Sequence, residues 1–147
     1  MSDLQEPDLI ETGIFKNDRA TPLASTELAV HRSIYRLTSA QAVVHAHPPH
    51  AIALSLKERE IVPCCPEGIS AIGIVPVLGW GMEIKPGALD DIIANALKDH
   101  VIVMVHGHGS FARGQLLDEA YNYTTILEEN CQVNILLKSM DCDNQKS

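Results

Sequence analysis

The sequence predicts an α/β or α+β chain, built as layers about one sheet and folded as a single domain. Segments of helical period alternate with short, β-branched apolar runs, which is the pattern of helices packed on a sheet. The 147 residues can bury one sizeable core but not comfortably two. Nothing repeats along the chain, and only the closing DCDNQKS is compositionally polar throughout.

The first stretch, MSDLQEPDLIETGIFKNDRATPL, is polar with scattered apolar residues, which predicts a short strand near residues 9–15 and then a proline-ended loop. ASTELAVHRSIYRLTSA follows with Ser25 and Thr26, both N-cap types, and then Leu28, Ile34, Tyr35 and Leu37 near helical period. A helix is expected there, with Glu27 and His31 sharing a face. AQAVVHAH predicts a buried strand with Val43, His45 and His47 on one side and Val44 and Ala46 on the other. Pro48 and Pro49 end that strand and suit the first turn of a helix over HAIALSLKE.

Further strands are expected in EIVPCC and GIVPVLGWG, on either side of the short apolar PEGISAIG. PGALDDIIANALKDH predicts a helix opened by Pro86, and VIVMVHGHG a buried strand ending in glycines. The last element, from Gln115 to about Met140, should be a long amphipathic helix with Leu117, Tyr121, Thr124, Leu127, Cys131 and Ile135 along one side. Residues 141–147 are expected to be a disordered tail beyond a domain of residues 1–140.

Composition removes several function classes. The formal net charge of -8 argues against broad binding to a phosphate backbone, so no nucleic-acid partner is expected. No apolar run is long enough to span a bilayer and no leader stands at the N-terminus, which predicts a cytoplasmic protein without a membrane partner. The four cysteines show no CxxC spacing and are expected to be reduced, with adjacent Cys64 and Cys65 as small buried residues of a strand.

The chemistry gathers in histidines. His45 and His47, one residue apart on a strand, project to the same side about 7 Å apart at Cα, within reach of one metal ion. Such a pair also fits a polar rim or satisfied core histidines. A second imidazole source, HGHG at residues 106–109, also ends a predicted buried strand, although its glycines suggest that the chain is already turning there. Three histidines without metal-spaced cysteines suit a catalytic site with an open coordination position. Such a site needs an acid or base, and Glu27 at a helix start can serve beside an anion held by free N–H groups and the Ser25 and Thr26 hydroxyls. The plainer reading is that Ser25 or Thr26 caps the helix and Glu27 favours its dipole.

The ordered set Ser25-Thr26-Glu27, HRSIYR, AVVHAHPPHAIALS, HGSFARG and the DEAYNYTTILEE helix resembles the class II aldolase/adducin family from about Leu4 to Met140. The resemblance implies a three-layer α/β/α fold around a mainly antiparallel central sheet, assembled as a cyclic homotetramer with active sites between subunits. It implies zinc, or another divalent metal, on His45, His47 and His108, with Glu27 as the catalytic glutamate and Ser25 and Thr26 on the substrate phosphate. The expected partner is a small phosphorylated sugar, closest to the fuculose-phosphate aldolases. Their reaction is reversible cleavage to dihydroxyacetone phosphate and an aldehyde, with the metal as Lewis acid and Glu27 moving the proton.

The alternatives on the same scaffold are a sugar-phosphate 4-epimerase or dehydratase, or a metal-binding oligomer without turnover. Two departures stand out. Family enzymes carry an earlier Gly-Asn and Thr-Gly segment that completes the phosphate cradle, and this chain starts after where it should lie, either at an internal methionine or as a shortened member. Where the bacterial fuculose-phosphate aldolase has a proton-donating tyrosine, IVPCCPEG places Glu67, as a second acid/base group or as a residue of a short helix's first turn.

Overall fold

The computed structural model describes residues 9–81, 87 and 89–144, with side chains as far as residue 140. Among the described residues five strands form one sheet in the order β1-β5-β4-β3-β2. They are β1 (Ala42–Ala46), β2 (Glu60–Ile61), β3 (Val75–Leu78), β4 (Ile102–Val105) and β5 (Gly109–Gly114). Among them run the helices α1 (Leu28–Leu37), α2 (Pro49–Ser55), α3 (Pro66–Ala71), α4 (Asp90–Ala96) and α5 (Leu117–Asn144). Only β3 and β4 pair in parallel; β1 with β5, β4 with β5 and β2 with β3 are antiparallel, so the sheet is mixed but mainly antiparallel.

The strand period of two decides the layering. Val43, Val103, Val105 and Phe111 point to one face, where α1 and α4 cover them with Val30, Ile34, Leu89, Ile93 and Leu97. Val44, Val75, Val77, Ile102, Met104 and Ala112 point to the other, where they meet Ala51 and Leu54 of α2 and Ala120, Leu127 and Cys131 of α5. The result is the expected α/β/α arrangement, in which β4 is buried along its whole length.

Several elements differ from the expectations. Residues 9–15 make no strand; the segment is held instead by Asp18, whose carboxylate accepts from the N–H groups of Gly13 (2.6 Å), Ala20 (2.9 Å) and Thr21 (3.0 Å). Helix α1 begins only at Leu28, with Glu27 at the cap position and no side-chain capping bond, because the Ser25 hydroxyl accepts the Glu27 N–H in a tight turn before the helix. The strand in EIVPCC is only Glu60–Ile61, Pro63 follows, and Cys64 is exposed rather than buried while Cys65 is half-buried. The opening of α4 at Pro86 lies outside the described residues.

Strand β5 is an addition. GSFARG has no regular alternation, yet five consecutive residues pair with β1 and four with β4, so long-range pairing makes the strand. In α5 the buried line is Ala120, Thr124, Leu127 and Cys131, whereas Leu117 and Tyr121, expected on the same side, are exposed. The helix also continues through Asn144, so the first residues of the expected tail are helical; 145–147 lie outside the described residues.

Candidate metal centre and its pocket

β1 delivers His45 from its interior and His47 one step past its last residue, on the face that period two requires. The chain after β4 turns at His106, Gly107 and His108 before entering β5, which carries His108 back over the end of β1. Gly107 has φ +65, a left-handed conformation suited to glycine, and makes that reversal possible. One nitrogen each from His45, His47 and His108 lies within 4.8 Å of the others. The Nε2 atoms of His45 and His47 are 3.0 Å apart. His106 goes elsewhere, packing its ring 4.2 Å from that of Trp80.

The donor set fits a divalent metal. His45 Nδ1 lies 2.9 Å from the Ser110 carbonyl, which accepts its proton and leaves the Nε2 lone pair facing the other imidazoles. Burial holds His45 below the ordinary histidine pKa, more than offsetting the Ser110 bond, so the neutral form required of a ligand is favoured. Phe111 stacks on the His45 ring at 4.2 Å and fixes its plane. Gly109 leaves the space in which the rings meet: a Cβ there would come within 2.6 Å of both the Ala46 carbonyl oxygen and His47 Cδ2.

Glu27 reaches this centre from the helical layer that covers the same face of the sheet, with Oε1 3.7 Å from His108 Nε2. Both border a cavity of about 340 Å³ between the starts of α1 and α4 and the sheet. Its polar lining is Thr26, Glu27, Asp90 and His108, and its wall includes Leu89, Ile93 and Phe111. Burial, then Asp91 and Glu27, raise the Asp90 carboxyl above its ordinary pKa. Burial lowers His31, four residues after Glu27, against the opposing pull of that carboxylate.

The structure thus brings together Glu27, His45, His47 and His108, with Thr26 at the cavity. Ser25 faces a different cavity, lined with His31 and Arg32. Glu67 is exposed in the first turn of α3 and does not line the cavity at Glu27. His50 stands outside the triad and binds Glu128 of α5, Nδ1 to Oε1 at 2.7 Å. Sequence reasoning missed Asp90, Gly109, Ser110, Phe111 and Glu128. The glycine in HGHG was the one available signal, since the others act through tertiary contacts.

A three-layer fold carrying three imidazoles and a carboxylate at one end of its sheet is a scaffold that could hold a metal ion beside an acid/base group. Residues 1–135 match the family described as Class II Aldolase and Adducin N-terminal domain, and the chain belongs to that family. It is 28% identical over 119 residues to an L-fuculose phosphate aldolase of Methanococcus maripaludis, covering 79% of this chain and 63% of that protein. It is 31% identical over 103 residues to a 3,4-dihydroxyphthalate decarboxylase of Arthrobacter keyseri, covering 66% of this chain and 42% of the relative. The crystal structure of L-fuculose-1-phosphate aldolase from Thermus thermophilus superposes with a TM-score of 0.82 at 34% identity, covering 94% of this chain and 73% of that one. Among the described residues no helix is long and apolar enough to cross a membrane.

Proposed function

We propose that this chain carries the catalytic core of a metal-dependent class II aldolase, cleaving a small sugar phosphate reversibly to dihydroxyacetone phosphate and an aldehyde. The observation that carries the reading is a three-imidazole cluster within 4.8 Å, with the Glu27 carboxylate 3.7 Å from one imidazole at the mouth of a cavity. His45, His47 and His108 would hold the ion, zinc or another divalent metal, which when bound supplies Lewis acidity toward a carbonyl. In cleavage, the bond between the carbon beside the carbonyl and the hydroxyl-bearing carbon beyond it breaks, and its electron pair moves toward the carbonyl. The hydroxyl proton passes to water as the aldehyde forms, and Glu27, in its protonated form, delivers its proton to the carbon left behind and is reprotonated from solvent.

Thr26, which borders the same cavity as Glu27, holds the substrate phosphate in this reading with the N–H groups at the start of α1, and Ser25, which faces the neighbouring cavity, joins it only after turning its hydroxyl from the Glu27 N–H. Glu67, exposed in the first turn of α3, is in this reading a second acid/base group, its alternative role being to favour the dipole of that short helix; the assembly proposed is a homotetramer. The aldolase relatives support the sugar-phosphate substrate. A second reading, decarboxylation of a hydroxylated acid, is favoured by the 31% identity to the Arthrobacter enzyme, since it too breaks a carbon–carbon bond and leaves a carbon to be protonated. Epimerase or dehydratase chemistry and metal binding without turnover are the remaining alternatives.

Elemental analysis should find one divalent metal per chain in the purified protein and a loss of it in His45→Ala. Dihydroxyacetone phosphate with lactaldehyde should then give a condensation product, and Glu27→Gln should abolish it while retaining metal. Absence of stoichiometric metal in the wild-type protein would sink the triad; product from ribulose 5-phosphate or 3,4-dihydroxyphthalate alone would replace the aldolase reading.

A further inference from the structure

We infer that α2 is the spacer that fixes the distance between the two ends of the histidine triad, with Glu128 and Ser55 as its positioning residues. The inference rests on the reading of the triad as a metal centre. It begins with a deficit: β1 ends at Ala46, and the next residues after His47 are Pro48 and Pro49, which have no N–H. The turn carrying His47 therefore has two fewer backbone donors with which to be tied down. The first N–H groups after the prolines, those of His50 and Ala51, both donate to the Glu128 carboxylate, at 3.1 Å and 3.1 Å to Oε2, with His50 also 3.2 Å from Oε1. The His50 ring adds its 2.7 Å contact to the same group. One carboxylate on α5 thus anchors the segment just beyond His47.

The other end of α2 holds the other half of the site. Ser55, fully buried, donates its hydroxyl proton to the Ile52 carbonyl at 2.7 Å and accepts the Gly107 N–H at 3.0 Å. Gly107 directly precedes His108, and the turn lies so close to the helix end that a Cβ on Gly107 would meet Leu56 Cδ2 at 3.0 Å. So α2 is bound through Glu128 where β1 delivers His47 and through Ser55 where the β4–β5 turn delivers His108. His45 needs neither anchor, because Ser110 and Phe111 already hold it within the sheet.

The test is selective. Two-dimensional proton–nitrogen spectra of the imidazoles in metal-free protein should show Glu128→Ala moving the His47 signals and not those of His108, and Ser55→Ala doing the reverse. Each variant should also weaken divalent-metal binding by at least roughly tenfold, the size of effect seen when groups that orient ligands are removed. Glu128→Gln, which keeps an acceptor oxygen and the side-chain volume, should restore part of that affinity and serves as the probe if the alanine variant fails to fold. Lower melting temperatures with unchanged imidazole signals and metal affinity would reduce both residues to general stabilisers and overturn the inference. A wild-type chain that binds no divalent ion, yet shows the two selective spectral responses, would defeat the metal reading and leave the spacer role standing.

Discussion

Replacing Gly109 by alanine tests the close approach on which the candidate centre is built. The added Cβ would sit 2.6 Å from the Ala46 carbonyl oxygen, 2.6 Å from His47 Cδ2 and 3.0 Å from His45 Cε1. Ordinary contacts begin at roughly 3.5 Å, so relief requires a movement of about 0.9 Å by a strand backbone or two imidazoles. Gly109 is paired with Val105, and its neighbour Ser110 with both Ala46 and Met104, so the strand cannot simply slide away. Overpacking of this kind costs about 1–3 kcal/mol, which at about 2–4 °C per kcal/mol lowers the melting temperature measurably. The displacement also exceeds the roughly 0.5 Å tolerance of a preorganised site, so metal affinity should fall by about tenfold or more. Equilibrium dialysis with zinc, beside thermal melts with and without metal, reads both quantities. Wild-type affinity and melting temperature in Gly109→Ala would refute the reasoning.

Three further perturbations probe other parts of the chain. Because burial lowers His31 below its ordinary value of 6.5, the unfolded chain binds more protons at this position than the folded one. Its contribution is therefore present above pH 6.5 and lost as pH falls below it; melting temperatures between pH 8 and 5 should show a loss that His31→Phe reduces, and an unaltered slope would reject it. Asp18 is held down at about 2, first by the Gly13 N–H, with desolvation as the next-largest effect opposing it, and then by the bonds from Thr12, Ala20 and Thr21. With a folded value below the unfolded 3.8, its support for residues 12–21 persists above the unfolded value and fails as pH drops toward 2; Asp18→Ala should speed hydrogen exchange there at neutral pH, and unchanged exchange would count against that support. Phe111, 1% exposed and stacked on His45, should cost about 3–5 kcal/mol as alanine and weaken metal binding as leucine, with chemical denaturation and metal titration as the readouts.

What the sequence determined by itself was everything expressed as a local period or a local stop. Period two in AVVHAH assigned His45 and His47 to one face, the prolines placed the strand's end, and helical spacing located α1 and α5. Family motifs extended this to His108 and Glu27, which spacing alone left open. Tertiary structure decided the rest. GSFARG is a strand because β1 and β4 flank it, and its first glycine leaves room for the imidazoles that pass over it. Cys64 is exposed because pairing stops after Ile61, although its apolar surroundings suggested burial. Glu128 lies 78 positions from His50, and no local pattern marks it as that residue's partner. The physical reason is common to these cases: alternation records which side of an element is dry, whereas a hydrogen bond, a ring stack or a missing Cβ depends on what another element brings within a few ångströms.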